Sequence, residues 1–211
     1  QFAFQAADWQ WRPYAPVAVP GRQGVSVEQG RTVTIDRIEA RGGLANGVLT
    51  VDPAEVQLGA TLMSLSAQAS ATEQSGTFQL SNLPLSTLAQ FASIPPEARG
   101  NINLTAQVGG TRTQPLLQGE VSFVEASWKN QPLDSIVGRF GYANQRFEFA
   151  TVMPEYLQVA AAVPFPTTPG TNDRATLNLN IGTEATKLLS IFTGGQVEWA
   201  GGEMGVQLTA S

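Results

Sequence analysis

The sequence contains no cysteine and no histidine among its 211 residues. Without cysteine the chain has neither a disulfide framework nor a thiolate nucleophile, and without histidine it lacks the commonest general base and metal ligand. The sequence also shows no Gly-rich phosphate loop, no nucleophile elbow and no paired carboxylates at a catalytic spacing. We therefore expect a protein that is not an enzyme and that holds no cofactor and no metal.

Charge is scarce as well, because only 14% of the residues are charged while 42% are hydrophobic. The net charge of -5 argues against a nucleic-acid partner, which would require a basic patch. No apolar run approaches the roughly 18 residues that a membrane-spanning helix needs. Because the chain begins with Gln1 and no signal-peptide pattern follows, we expect it to be a piece of a longer protein.

What is present is strict alternation of apolar and polar residues. Between Asn101 and Val108 every second residue is apolar, which predicts a strand with one apolar and one polar face. Gly109-Gly110 interrupts this run, and a second alternating run starts after Pro115 and reaches Phe123. The stretch therefore predicts a β-hairpin, and the same pattern recurs through most of the chain.

Three other signals organise the chain. Asn46-Gly47 predicts a tight hairpin turn, and Asp52-Pro53 is expected to close the strand that follows it. The alternation changes phase between Leu62 and Met63, which fits either one bent strand or two strands in succession. Helical spacing replaces alternation at residues 83–92 and again at 185–192, so we expect two short amphipathic helices.

An internal repeat with a period of about 100 residues relates the two halves of the chain. Asn46 aligns with Asn144 at an offset of 98, and Phe91 aligns with Phe192 at an offset of 101. The repeat predicts an elongated all-β stack of similar units. We expect residues 1–30 to be edge strands or the end of a preceding repeat, 31–130 to be a first unit and 131–211 to be a second, truncated unit.

The chain resembles the TamB family of AsmA-like repeat proteins, similar to its cyanobacterial or chloroplast-lineage members. The resembling features are the stretch from Gly100 to Phe123, the segment 131–137 together with Phe147-Glu-Phe, and the helical motif that ends in Leu88-Ala-Gln-Phe. The resemblance covers roughly residues 31–209 and implies a β-taco, a sheet folded into a U around an apolar inner groove.

The resemblance also implies a function and a location. Members of the family are anchored in the inner membrane, here by a segment outside this sequence, and bridge the periplasm or the chloroplast intermembrane space. The implied partners are phospholipid acyl chains and, for the full-length protein, an outer-membrane barrel of the Omp85 family. The implied role is transfer of phospholipids between the two membranes and support of outer-membrane protein assembly.

The alternating apolar residues supply the candidate lipid-groove side chains. Each of them is either a groove residue or an ordinary core residue, and the sequence leaves both readings open. A structural or adhesive β-solenoid, or a scaffold that binds protein by strand addition, is the alternative function. The candidates are Leu58, Leu65, Phe78, Ile102, Leu104, Val121, Phe123, Phe147, Phe149, Leu157, Val159, Leu177, Leu179 and Trp199.

Overall fold

The computed structural model describes residues 1–11, 14–18, 25–29, 33–88, 94, 96–165, 174–182 and 204–210. Within these residues the chain is almost entirely β-strand, so the predicted all-β class is confirmed. The described helix, α1, spans only Leu85–Leu88, and none of its residues is buried.

The structure describes fifteen strands. They are β1 (Phe2–Trp11), β2 (Tyr14–Ala18), β3 (Val25–Gln29), β4 (Val33–Ala45), β5 (Val48–Leu58), β6 (Thr61–Ala69), β7 (Gln74–Pro84), β8 (Ala98–Gly110), β9 (Pro115–Trp128), β10 (Gln131–Pro132), β11 (Ile136–Ala143), β12 (Arg146–Met153), β13 (Leu157–Pro164), β14 (Ala175–Ile181) and β15 (Met204–Ala210).

All but two of these strands form one antiparallel sheet of 13 strands. Its order is β1-β4-β5-β6-β7-β8-β9-β11-β12-β13-β14-β15, with β10 paired to β9 beside this path. Each strand after β4 therefore lies next to its predecessor along this path, which makes the sheet a long meander. The strands β2 and β3 form a separate two-stranded sheet.

The hairpin predicted around Gly109-Gly110 is confirmed. The strands β8 and β9 are paired, with Ile102 opposite Phe123 and Leu104 opposite Val121. Pro115 begins β9, as expected for a residue that has no backbone N–H to donate.

The predicted turn at Asn46-Gly47 is present, and the repeat-equivalent residues Asn144 and Gln145 form a turn as well. Asn46 and Gly47 have φ angles of 50° and 76° and join β4 to β5. Asn144 and Gln145 have φ angles of 51° and 59° and join β11 to β12. Two consecutive residues with positive φ form the turn that matches the right-handed twist of a hairpin.

The expectation that Asp52-Pro53 ends a strand is wrong, because β5 continues through both residues to Leu58. The register with β6 shifts between Val51 and Ala54. Pro53 therefore lies in a bulge, where its missing N–H removes no regular ladder bond.

The change of phase between Leu62 and Met63 reflects two strands in succession and not one bent strand. Gly59 and Ala60 form a turn, and β6 begins at Thr61 as a separate strand. Asp36 accepts a hydrogen bond from the N–H of Gly59, which attaches this turn to β4.

The two repeat-related segments contribute strands in the same order. The first contains β4, β5, β6, β7, α1 and β8, and the second contains β11, β12, β13, β14 and β15. The predicted second helix at 185–192 lies outside the described residues. The sheet runs across the expected boundary at residue 130, since β9 pairs with β11. The division into units remains a prediction.

In the described part of the chain, no helix is both long and apolar enough to cross a membrane.

Candidate functional site

The register of the sheet aligns apolar side chains in one continuous row across all twelve strands of the meander. Directly opposed residues of antiparallel strands lie on the same face, so this row belongs to one face of the sheet. We call it the apolar row, and the face that carries it the apolar face. The row consists of Phe4, Ala40, Ala54, Leu65, Phe78, Ala106, Gly119, Phe140, Phe149, Ala161, Leu177 and Leu208.

The adjacent residue in every strand belongs to a second row on the opposite, polar face, and this polar row contains no large apolar side chain. Its members pair with one another, as when the Arg139 guanidinium lies 3.5 Å from the Glu120 carboxylate. The row consists of Gln5, Glu39, Glu55, Ser64, Gln79, Thr105, Glu120, Arg139, Ala150, Ala160, Asn178 and Gln207.

The register places thirteen of the fourteen predicted groove residues on the apolar face. Alternation along each strand relates them to the apolar row, and opposed pairs such as Phe147↔Val163, Val159↔Leu179 and Leu157↔Ile181 lie on the same face. The remaining candidate, Trp199, lies outside the described residues. Whether these side chains line a groove remains a prediction.

The apolar face has almost no buried side chains in the part of the chain that the structure describes. The buried hydrophobic residues are Ala106, Ala126, Trp128, Leu157 and Ile181. A sheet of 13 strands that packed its apolar face under a second layer would bury many more. Most of the apolar face is therefore accessible in this structure.

Accessibility differs between the two ends of the strands. We call the end formed by the turns at 46–47, 70–73, 111–114 and 144–145 the hairpin margin. We call the opposite end, formed by residues 59–60, α1, 129–135 and 154–156, the helix margin.

The helix margin is the covered one. There Leu157 and Ile181 are 2% and 3% exposed, and Leu133, Ile136 and Tyr156 pack against them. Towards the hairpin margin, Leu44 is 70% exposed and Phe165 is 63% exposed. The apolar face is thus closed along one margin and open along the other.

A buried hydroxyl stabilises the closed margin. The Thr151 hydroxyl donates to the carbonyl oxygen of Leu157 and accepts from the N–H of Val159, both at 2.9 Å. It thereby connects β12 to β13 just beyond Ala150 and Ala160, the last residues of the two strands that are paired through their backbones. Thr61, which is 2% exposed, similarly donates to the carbonyl oxygen of Asn82 at 2.9 Å.

Several phenylalanine rings lie close to glycines of neighbouring strands. A Cβ built on Gly138 would lie 2.5 Å from the ring of Phe149, and one on Gly42 would lie 2.6 Å from the ring of Phe2. Phe140 covers Gly119 in the same way. The rings occupy the space that a side chain at these glycines would take, as when an aromatic side chain covers a glycine on a neighbouring strand.

Residues of the polar face line several depressions of the surface. One of about 620 Å³, between β8, β9, β11 and β12, is lined by the side chains of Gln107, Gln118 and Glu148 among others. The Gln118 amide donates to Gln107 at 2.9 Å across the strands. None of the predicted groove residues lines this depression, although Val108 and Tyr142, which the register places on the apolar face, do.

Two features of the apolar face were missed by the sequence analysis. Phe140 belongs to the apolar row but was not named, although its spacing of two from Tyr142 could have identified it. The difference in exposure between the two margins gave no sequence signal, because it depends on which neighbouring segments cover the strands.

Among the described residues no group of three or more acidic side chains could hold a metal ion. The fold and the site thus define a class: an open antiparallel sheet in a single layer, with one accessible apolar face and one polar face. No protein-family model, no curated protein and no solved structure matches the chain.

Proposed function

We propose that the chain is a segment of an envelope-spanning, TamB-like bridge that conducts phospholipids between the inner and outer membranes and supports outer-membrane protein assembly. The observation that supports this most directly is the apolar row, which crosses twelve strands without a polar residue and whose members, apart from the buried Ala106, are all at least partly exposed. In the proposal the sheet curves into a U, and the apolar face becomes the inside of its groove.

The energetics favour an acyl chain as the occupant of this face. Each buried methylene group contributes about 0.8 kcal/mol, so a chain that lies along several strands gains affinity without any directional contact. The rings of Phe140 and Phe149 lie against glycines of neighbouring strands and so occupy space that side chains at those glycines would otherwise fill. A surface of this kind binds lipids of varied structure and lets them move along it.

The proposed role is not enzymatic and needs no cofactor. It places the segment in the periplasm, or in the chloroplast intermembrane space, with the inner-membrane anchor and the contact with an Omp85-family barrel in other parts of the full-length protein.

Site-specific photo-crosslinking tests the proposal. A photoreactive residue is placed at Phe149 on the apolar face or, as a matched control, at Glu148, the preceding residue on the polar face. In cells, mass analysis should find phospholipid attached at Phe149 and not at Glu148. Absence of lipid from Phe149, and from a second probe at Phe123, in folded protein would contradict the proposal.

Strand addition is the second candidate function. The strands β1 and β15 are the ends of the sheet, and each pairs on only one side within the described residues. An unpaired strand edge is a template for another strand, so a scaffold could bind protein there. Such a scaffold would yield protein crosslinks from β1 and no lipid from Phe149.

A further inference from the structure

A straight furrow crosses the polar face at right angles to the strands. One of its walls is the part of the polar row that runs from Gln79 on β7 to Asn178 on β14. The other wall is a parallel row two residues away along each strand, from Thr77 on β7 to Thr176 on β14. The residues between the walls belong to the apolar row and point to the opposite face, so their backbone forms the floor.

Surface depressions follow this furrow. One of about 510 Å³ lies between the two walls from β7 to β11, and one of about 400 Å³ lies between them from β11 to β14. Both contact Arg139, and the depression of about 620 Å³ described above adjoins them through Gln118 and Glu148. Because the furrow crosses seven strands, it is about 29 Å long at a strand spacing of about 4.8 Å.

The charged side chains that line these three depressions form two pairs of opposite charge. Arg139 lies 3.5 Å from Glu120, and Arg146 lies 3.7 Å from Glu148. The furrow therefore carries no net charge, although the whole chain has a net charge of -5. A strongly charged polymer, such as a nucleic acid or a basic peptide, finds no excess of the opposite charge there.

The uncharged wall residues present hydrogen-bond donors and acceptors side by side. The Gln118 amide donates to the side-chain carbonyl oxygen of Gln107 at 2.9 Å. The amino group of Gln107 and the carbonyl oxygen of Gln118 can still bind a further group, and the hydroxyl of Thr77 and the amide of Asn178 also both donate and accept. An uncharged ligand rich in hydroxyl groups, each of which donates and accepts, matches this lining.

The spacing of the wall residues distinguishes between extended polymers. A polymer that lies along the furrow meets a new pair of wall residues at each strand, about every 4.8 Å. An extended polypeptide advances only about 3.3 Å per residue, so its peptide groups lose step with the walls within a few strands. A pyranose unit in an extended β-linked chain advances by close to one strand spacing, so successive sugars meet equivalent positions.

We propose that the furrow binds a linear, neutral, β-linked polysaccharide that lies across the strands and hydrogen-bonds to Thr77, Gln107, Gln118 and Asn178. The furrow is on the face opposite to the apolar row, so this proposal and lipid conduction do not rest on each other. Gly141 keeps the furrow continuous, because a Cβ there would meet only the carbonyl oxygen of Leu117 at 3.7 Å.

The dependence of affinity on the length of the sugar chain tests the proposal. The purified chain is titrated in a calorimeter with the dimer, tetramer, hexamer and octamer of β-1,4-linked N-acetylglucosamine, which are neutral and extended. We expect the hexamer to bind about tenfold or more tightly than the dimer, because each added sugar reaches another strand. The octamer should gain little over the hexamer, since it extends beyond the end of the furrow.

Two pairs of variants locate the binding site. Gly141→Gln places a side chain in the furrow and should weaken binding of the hexamer about tenfold or more. Gly205→Gln is its control, because Gly205 lies opposite Asn180 on the polar face of β15, outside the furrow, and a Cβ there also has no neighbour within 4 Å.

Removal of wall amides provides the second pair. The double variant Gln107→Ala and Gln118→Ala should weaken binding of the hexamer, whereas Gln5→Ala with Gln57→Ala, which lie on the polar face of β1 and β5, should not. Far-UV circular dichroism confirms that each variant is folded.

Three results would overturn the proposal. They are failure of the unaltered chain to bind the hexamer, an affinity that does not rise with the length of the sugar chain, and hexamer binding that is unchanged in both furrow variants. Tighter binding of an unstructured, neutral peptide of the same length would assign the furrow to polypeptide and also overturn it. Each of these results leaves lipid conduction standing, because the apolar face is untouched.

Discussion

The ring of Phe140 lies directly over Gly119, its register partner on the neighbouring strand β9. A Cβ at Gly119 would overlap both this ring and the carbonyl oxygen of Thr105. The glycine therefore sets the height of the aromatic ring above the sheet, and the ring in turn stacks on Phe147 with centroids 6.3 Å apart.

Gly119→Ala should destabilise the protein because the added methyl group must displace the Phe140 ring and the adjacent strand. We expect a loss of about 2 kcal/mol in the free energy of unfolding, typical of an overfilled site. Urea denaturation measures it. Gly109→Ala is the control, because a Cβ at Gly109 has no neighbour within 4 Å. A loss of equal size in both variants would mean that the contact with Phe140 is unimportant.

A charge on the apolar face should be far more disruptive than the same charge on the polar face. Leu104 is half-buried on the apolar face, and the next residue, Thr105, is exposed in the polar row. We expect Leu104→Asp to lower the free energy of unfolding by about 2 to 4 kcal/mol and Thr105→Asp by less than about 1. Thermal denaturation followed by circular dichroism compares the two. Equal effects would contradict the assignment of faces.

Thr151→Val should open the closed margin locally. It removes the hydroxyl that bonds to both Leu157 and Val159, and it leaves those two backbone groups without that partner. We expect a loss of about 2 kcal/mol, whereas Thr151→Ser, which keeps the hydroxyl, should lose less than about 1. Hydrogen exchange of the Val159 amide provides a local readout. Unchanged protection in the valine variant would show that the hydroxyl does not hold the two strands together.

Gln145→Gly should stabilise the protein. Gln145 has a φ of 59° in its two-residue turn, whereas the equivalent turn between β4 and β5 has glycine at the corresponding position, Gly47. Relief of the steric strain should exceed the entropy that glycine loses on folding, with a gain of about 0.5 to 1 kcal/mol in urea denaturation. Gln107→Gly, in the middle of β8, should instead destabilise the protein. A destabilised Gln145→Gly variant would contradict the assigned turn geometry.

Local signals predicted much of the secondary structure. The alternation in residues 101–108 and 117–123 located β8 and β9, and Asn46-Gly47 located the turn between β4 and β5. The alternation of apolar and polar residues predicted these strands correctly because a meander pairs each strand with its sequence neighbour. Tertiary contacts therefore reinforce the local pattern and do not override it.

The prediction of a strand end failed where pairing between strands overrides the local propensity of the residues. Asp52-Pro53 has the composition of a strand end, yet β5 continues through it because a bulge removes the need for the missing N–H. The candidate groove residues could be assigned to one face of each strand, but alternation alone does not reveal whether another layer of protein covers that face.

The sequence by itself determined that the protein is β-rich and that each strand has an apolar and a polar side, because a period of two acts within a single strand. Only the tertiary structure decided how the strands align. The apolar row depends on the register between residues as distant as Phe4 and Ala40, which bulges and turn lengths set together. The tertiary structure also decided which margin is covered. Leu157 is buried and Leu44 is exposed because the accessibility of a side chain depends on the neighbouring segments that cover it in the assembled sheet.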